Sequence, residues 1–324
     1  MPRSEWAKIA LLERVLGGAP DARVLTGIGD DAAVLAPPAA PLVWTVDAAV
    51  DDVHFRRDLV TMVDIGYRST MAAASDLAAM GASPRGMLSS LILPAGFPDE
   101  DLEALARGQR EAADALGTQV IGGNLARGEQ LSITTTVLGA APRPLLRSGA
   151  RPGDALWIAG PSGLAGAGLA LLLAGAKVER EAARRAVRAW QRPLARIADG
   201  LRAAAVAHAA IDVSDGLGQD VGHMAQASGV RAVLSRAALL AIDPALAAVA
   251  GELGRDPLDL ALRGGEDYAL VVALPAGEAL AGFVEIGRIE ASADGGDEAG
   301  EVLLEREDGA REILSGAGFD HFRP

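Results

Sequence analysis

"AAIDVSDGLGQDVGHMAQASG", Ala209 to Gly229, reads as a strand, a turn and a helix in immediate succession. Asp212 sits in the strand, Ser214 and Asp215 make the turn with Gly216, and Gly229 stops the helix. A strand-to-helix junction exposes backbone N–H groups that suit phosphate oxygens. An Asp in this place also caps helices, so the turn alone fits either metal binding or capping.

Toward the C-terminus, "VRAVLS" reads as a strand and an Ala-rich helical stretch follows. Further strands fall near "YALVVALP", "FVEIGRI" and "EVLLERE", and Glu290 to Gly300 reads as an acidic, solvated loop. Toward the N-terminus lie two Arg- and Ala-rich helices, preceded by "ALWIAGPSGLAGAGLALLLAGA", Ala155 to Ala176. That stretch is uncharged and long enough to span a bilayer, but Pro161 and Ser162 between Gly160 and Gly163 break it. A buried strand–turn–helix is expected there, with no membrane span. "PRPLLRSGARPGD", Pro142 to Asp154, marks a domain boundary by its Pro, Gly and Arg content and divides the chain into 1–145 and 146–324.

The first half also alternates strands and helices. "LVWTVDAAV" from Leu42 is a strand, "MVDIGYRSTMAAASDLAAMGA" a helix stopped by Gly81, and "GMLSSLILP" a strand ended by Pro94. "DEDLEALARGQREAADALG" is an amphipathic helix with acidic residues at its start, and "TQVIGG" and "LSITTTVLGAA" are strands. The N-terminus, "MPRSEWAKIALLERVL", carries charges through its length and reads as an amphipathic helix rather than a signal peptide.

A formal charge of −13 disfavours a nucleic-acid surface. The absence of cysteine excludes disulfides, thiolate catalysis and Cys-ligated metal sites. What recurs instead is aspartate. "TGIGDDAAVL", Thr26 to Leu35, places Asp30 and Asp31 side by side in what reads as a buried strand and turn, where like charges need compensation. Thr45 and Asp47 share a strand face, Asp76 interrupts an apolar helix, and Asp212 and Asp215 flank Ser214. Carboxylates beside hydroxyls, without a His or Cys set, are ligands for hard cations, and Mg²⁺ fits best. Several Mg²⁺ ions would also let an acidic protein hold anionic phosphates.

Glycine-rich stretches carry less information. "GPSGLAGAG" lacks the Gly-Lys-Ser/Thr of a phosphate loop and is expected to serve packing and a tight turn. "VIGGN", ending at Asn124, places paired glycines after a strand, where backbone can approach a ligand. His54 follows two aspartates, Arg147 lies in the interdomain stretch, and Glu266 and Asp267 follow two glycines at the entry to a strand.

In this order, "GIGDDAAVL", "TVDAAVDDVHF", "SDLAAMGASP", "VIGGN", "LLRSGARPGD", "IDVSDGLGQDVGHM", "RGGEDYAL" and "IGRI" resemble the motifs of thiamine-monophosphate kinases, within the larger group similar to aminoimidazole ribonucleotide synthetase. The resemblance runs from about Ile28 to the "GFDHF" end. It implies a two-domain α+β fold: an N-terminal mixed sheet with helices that carries metal, ATP and dimer contacts, and a C-terminal α/β-type domain that completes the ATP and substrate sites. It also implies a cytoplasmic homodimer whose N-terminal sheets form a barrel, acting on small molecules and on neither nucleic acid nor membrane. The implied reaction is ATP-dependent phosphorylation of thiamine monophosphate to thiamine diphosphate by direct in-line transfer, with ATP as co-substrate. The alternatives are a sister ATP-dependent enzyme, such as aminoimidazole ribonucleotide synthetase, or an inactive nucleotide- or metal-binding homologue. By the resemblance, Asp30, Thr45, Asp47, Asp76, Asn124, Asp212 and Asp215 would hold Mg²⁺, and no residue acts as a nucleophile. Gly123, Asn124, Arg147 and Ser214 would contact ATP, and His54, Glu266 and Phe319 the thiamine monophosphate. The chain departs from the pattern in two places. Asn124 stands where the family usually has Asp, and Leu116 stands where a Tyr is often found.

Overall fold

The computed structural model describes residues 5–18, 21–292 and 298–314. They form two compact units. The first comprises residues up to Leu77 together with Ala82–Pro142, and the second comprises Ala78–Gly81 together with residues from Arg143 onward.

The first unit contains α1 (Glu5–Leu16), β1 (Val24–Thr26), β2 (Val34–Leu35), β3 (Leu42–Val50), α2 (Met62–Ala79), β4 (Ser83–Leu93), α3 (Asp99–Ala115), β5 (Val120–Arg127) and β6 (Ser132–Ala140). Four strands make a sheet of order β3-β6-β4-β5, with β4 and β5 parallel and the other neighbours antiparallel. Its two faces differ. In one row Asp47, Thr135, Ser89 and Gly123 stand opposite one another, and in the next Ala48, Thr134, Ser90 and Asn124 do. Successive residues of a strand face opposite ways, so these rows lie on opposite faces. The first face is covered by helices: Leu77 of α2 packs over Gly139, and Gln109 of α3 donates to Ser89 Oγ at 2.8 Å. The second face presents Leu42, Trp44 and Val46 of β3 with Leu88 and Ile92 of β4, all exposed, Trp44 to 71%.

Two expectations are corrected here. Asp30 and Asp31 do not lie in a buried strand and turn. β1 and β2 have three and two residues, the loop between them is open, and both aspartates are exposed. Exposure to water removes the desolvation cost that the sequence raised, and Asp30 Oδ1 accepts the Asp31 N–H at 2.8 Å. Gly122 and Gly123 do not follow a strand either, because β5 continues through them to Arg127. A Cβ on Gly123 would collide with the Ser89 carbonyl oxygen, so this glycine serves the approach of β4 to β5.

The second unit contains β7 (Ala155–Ala159), α4 (Leu164–Leu173), α5 (Glu181–Gln191), α6 (Ile197–Ala203), β8 (Ala209–Val213), α7 (Leu217–Ser228), β9 (Val230–Ser235), α8 (Arg236–Ala241), α9 (Pro244–Leu253), α10 (Pro257–Arg263), β10 (Ala269–Leu274), β11 (Val284–Ala291), β12 (Val302–Glu305) and β13 (Arg311–Ile313). Its seven-stranded sheet has the order β13-β12-β9-β11-β7-β10-β8, with β9 and β12 parallel and the other neighbours antiparallel. Both faces of β10 are buried, which is why it reads as an unbroken apolar run. Ala269, Val271 and Ala273 enter a core with Leu217, Val221 and Met224 of α7. Leu270, Val272 and Leu274 enter another with Ala203 of α6 and Phe283.

The Ala-rich helical stretch after β9 comprises α8 and α9, with α10 following. Asp243 and Asp256 each cap a helix through the side chain, and each is followed by a proline at the first helical position. Glu290 and Ala291 belong to β11 rather than to a loop, because they pair with Arg231 and Val230 of β9. No helix among the described residues is long and apolar enough to cross a membrane, and the Ala155–Ala176 stretch is β7, a turn and α4.

Gly123→Ala is expected to destabilise the protein by about 1–3 kcal/mol, because the β4 backbone cannot yield locally. Urea unfolding followed by circular dichroism checks this, with a lowered midpoint at unchanged slope as the expected outcome.

Candidate active site

The second unit gathers three turns at one end of its sheet. β7, β10 and β8 are neighbours, and the register pairs Leu270 with Ala159 and Ala269 with Val213. The ends of β7 and β8 and the start of β10 therefore coincide. The turns Gly160–Gly163, Ser214–Gly216 and Gly264–Tyr268 meet there backbone to backbone. A Cβ on Gly265 would stand 2.5 Å from the Ser214 carbonyl oxygen, too close for any side chain. The Glu266 N–H donates to Ser214 O at 2.8 Å and the Tyr268 N–H to Val213 O at 2.9 Å. Glu266 and Tyr268 take φ values of 65° and 49°, a left-handed conformation that non-glycine residues rarely adopt. The paired N–H groups hold them in it.

Two buried carboxylates stitch these turns together. Asp267 accepts the N–H groups of Gly163 and, at 2.8 Å, Ala165, so the first turn of α4 is capped by a side chain from another segment. The glycine-rich turn there is already filled by the protein's own anion, in keeping with a packing role. Burial pushes the Asp267 carboxyl up to about 7, against the hydrogen bonds from Ala165 and Gly163 that lower it. Asp220, in the first turn of α7, accepts the N–H groups of Ser214 at 3.0 Å and Asp215 at 3.1 Å. Burial pushes Asp220 up to about 7 as well, and the charges of Asp215 and Asp212 add to the shift. The Ser214 and Asp215 N–H groups expected to face phosphate are thus engaged by Asp220. Asp212 is buried on β8, while Ser214 and Asp215 are half-buried in the turn.

Three residues at this end were not singled out from sequence. Asp220 was legible as an acidic residue in the first turn of a helix. Trp190, near the end of α5, donates its indole N–H to Glu266 Oε2 at 2.7 Å. Arg196 lies against Gly160 with its Nε buried and without a partner, and burial lowers its pKa against the pull of Asp199 and Asp267. No local pattern announces these last two.

In the first unit, Thr45 Oγ donates to the Asp76 carboxylate, bringing two predicted ligands into contact. This bond offsets the desolvation of a half-buried mid-helix aspartate. Asp47 is on the same strand face as Thr45 and accepts the Ala48 N–H at 2.7 Å. Asn124 is not brought to this group, because the register puts it on the opposite face in the row of Ser90. Gly123 stands opposite Ser89, Asp30 is in the exposed β1–β2 loop, and His54 Nδ1 accepts the Val50 N–H at 3.1 Å. Leu116 is buried. Arg147 is exposed in the second unit, and its carbonyl accepts from Ser228 at the far end of α7 from Ser214. Phe319 lies outside the described residues.

Among the described residues, no group of three or more His, Asp or Glu side chains is placed to hold a metal ion. Mg²⁺ does not need one. It is commonly bound by one or two carboxylates, with water and phosphate completing the shell. The hard oxygen pair of Thr45 and Asp76 fits that requirement. A surface pocket of about 660 Å³ is lined by Lys177, Arg180 and Glu252, and no predicted site residue borders it.

The fold and the stitched turns define a two-unit protein whose family models match in sequence order. The model for the AIR synthase related protein, N-terminal domain, matches residues 29–141, and that for the C-terminal domain matches 151–295. A thiamine-monophosphate kinase of Mycobacterium tuberculosis is 40% identical over 289 residues, covering 88% of this chain and 85% of its own. The crystal structure of thiamine-monophosphate kinase from Stenotrophomonas maltophilia superposes with a TM-score of 0.79 at 36% identity, covering 90% of this chain and 96% of that one. A structure described as AaThiL complexed with AMPPCP and TMP superposes with a TM-score of 0.80 at 29% identity over 99% of both chains. The chain belongs to the AIR synthase related family, among the thiamine-monophosphate kinases.

The two raised carboxyls give a pH dependence of defined sign. A carboxyl whose folded pKa lies above its unfolded value holds a proton that the unfolded chain has lost. Its contribution is therefore full below about pH 4 and is lost as pH rises through about 7. Asp21 and Glu305, held near 2 chiefly by hydrogen bonds from Arg23 and Arg288, act in the opposite sense: their contribution is full above about pH 4, lost as pH falls through about 2, and constant between about pH 5 and 8. Between pH 5 and 8 the urea midpoint is expected to fall, and Asp267→Asn is expected to flatten that fall. A midpoint that rises across this window contradicts the assignment.

Proposed function

We propose that this protein transfers the γ-phosphoryl group of ATP to thiamine monophosphate, giving ADP and thiamine diphosphate. The observation that carries this reading is a thiamine-monophosphate kinase 40% identical over 88% of the chain, supported by the match over 99% of the chain to the complex with AMPPCP and TMP. In this reading a terminal phosphate oxygen of thiamine monophosphate attacks the γ-phosphorus as the bond to ADP breaks. That oxygen is anionic near neutral pH, so the protein supplies no strong base and forms no phosphoenzyme. Its contribution is positioning and charge neutralisation.

Of the domain from 146 onward, Ser214 and Arg147 are assigned to ATP and Glu266 and Phe319 to the thiamine compound, to which His54 of the first domain is also assigned. Gly123 and Asn124 are assigned to ATP from the first domain. Asp30, Thr45, Asp47, Asp76, Asp212 and Asp215 are assigned to Mg²⁺, which when bound offsets the charge of the phosphates; Asn124, on the opposite sheet face from Thr45 and Asp47, is left out of that set. We assign the protein to the cytoplasm, in keeping with a biosynthetic family. It acts as a homodimer, a reading supported by the exposed apolar sheet face of Leu42, Trp44, Val46, Leu88 and Ile92.

ADP release in the presence of Mg²⁺ is expected to depend on thiamine monophosphate and to vanish on chelation. Release from ATP alone at the same rate would favour a sister ATP-dependent activity, and no release would favour the inactive homologue that Asn124 makes conceivable. Asp30→Asn and Asp212→Asn are each expected to lower turnover about 100-fold or more, with unchanged circular dichroism. Near-normal rates in both at limiting Mg²⁺ would remove these residues from the metal assignment. Sedimentation equilibrium is expected to give a dimer, converted to monomer by Trp44→Asp.

A further inference from the structure

Trp190 is 1% exposed and stands near the C-terminal end of α5. Its indole carries one donor and no acceptor, so a buried indole N–H must find an acceptor or stay unsatisfied. Here the acceptor is Glu266 Oε2 at 2.7 Å, 76 residues away in sequence. The acceptor is a half-buried carboxylate on a residue held in the left-handed region, with its N–H tied to Ser214. Backbone and side chain are therefore both constrained: the Ser214 carbonyl helps fix where Glu266 starts, and the indole is one of the groups that hold its carboxylate. A bond between an N–H and a charged group is stronger and more directional than a neutral one. The rigid ring loses little conformational freedom in making it.

A carboxylate has about four lone-pair sites, so a carboxylate that accepts an indole N–H can also accept from a ligand. Thiamine monophosphate offers two complements to an oriented carboxylate: an exocyclic amine on its pyrimidine and the fixed positive charge of its thiazolium ring. We propose that Trp190 is a positioning residue that holds the Glu266 carboxylate in the orientation that receives the thiamine moiety of the substrate. This rests on the assignment of Glu266 to that substrate's site. Ligand-binding groups need placement within about 0.5 Å, and such precision comes from locked neighbours rather than from the contacting residue alone. The effect is therefore specific to one substrate. It falls on thiamine monophosphate and not on ATP.

The test uses the full-length enzyme with thiamine monophosphate and MgATP varied separately. The variants are Trp190→Phe, Glu266→Gln and their combination. A fourth form replaces Trp190 with benzothienylalanine, which keeps the ring system and its volume but has sulfur in place of the N–H. Loss of the N–H is expected to raise KM for thiamine monophosphate about tenfold in both Trp190 forms, with KM for ATP unchanged and kcat within about twofold. The double variant should match Glu266→Gln alone, because a positioning residue has no effect once its target is neutralised. If Glu266→Gln leaves KM for thiamine monophosphate unchanged, the assignment of Glu266 itself fails. If Glu266→Gln raises that KM while the benzothienylalanine form behaves as wild type, Trp190 only fills the core and the proposal is overturned. Effects of Trp190→Phe and Glu266→Gln that add independently overturn it as well. A lowered melting temperature confined to Trp190→Phe reports the cavity, and the isosteric form then decides.

Discussion

The second unit depends on two carboxylates taken out of water to satisfy backbone N–H groups. Asp267 caps the start of α4 from a different turn, and Asp220 ties down the Ser214–Asp215 turn from inside α7. Without them, several N–H groups at the ends of β7 and β8 would face a buried environment unpaired, at about 1–3 kcal/mol each. With them, three turns close on one another so tightly that glycine is required at the contacts. The raised pKa of both acids reflects chiefly their burial, partly offset by the backbone N–H groups they accept. Each is retained because it shapes the end of the sheet where Ser214, Asp215 and Glu266 stand.

This arrangement separates acids by task. Asp220 and Asp267 are fully committed to backbone groups. Asp212, Asp215 and Glu266 stand beside them without being spent on the same N–H groups. The first unit shows a similar division: Asp51 is buried and paired with Arg57 at 2.6 Å, whereas Asp76 meets a hydroxyl. In the function proposed for this protein of charge −13, the acids that hold the fold are distinct from those assigned to Mg²⁺. Burial with backbone donors marks the first kind. Hydroxyl and carboxylate neighbours mark the second.

Much of the fold was legible in the sequence because it rests on local signals. The Ala209–Gly229 strand–turn–helix, the α3 helix with its acidic start, and β10 as a buried run all follow from period and punctuation. The elements misread were those decided by distant partners. The Thr26–Leu35 segment is apolar enough to suggest burial, yet its strands are too short to build a covered sheet. Gly122 and Gly123 read as a strand end, yet the β4 backbone needs them inside a strand. Glu290 reads as loop, yet pairing with Arg231 of β9 holds it in β11. Within the site, the shared face of Thr45 and Asp47 follows from strand period, while the Thr45–Asp76 contact comes from the packing of α2 on the sheet. Trp190 and Arg196 were not legible either, because their places come from packing between segments far apart in sequence. The resemblance to thiamine-monophosphate kinases rested on eight ordered motifs, and the family comparison agrees with it.

The central claim is that phosphate moves from ATP to thiamine monophosphate in one step, and the fate of a labelled γ-phosphate tests it most directly. Incubation with γ-³²P-ATP, Mg²⁺ and thiamine monophosphate should place the label in thiamine diphosphate, and the protein recovered after incubation with ATP alone should carry none. Label recovered as inorganic phosphate with thiamine monophosphate unchanged, or bound covalently to the protein, would contradict it.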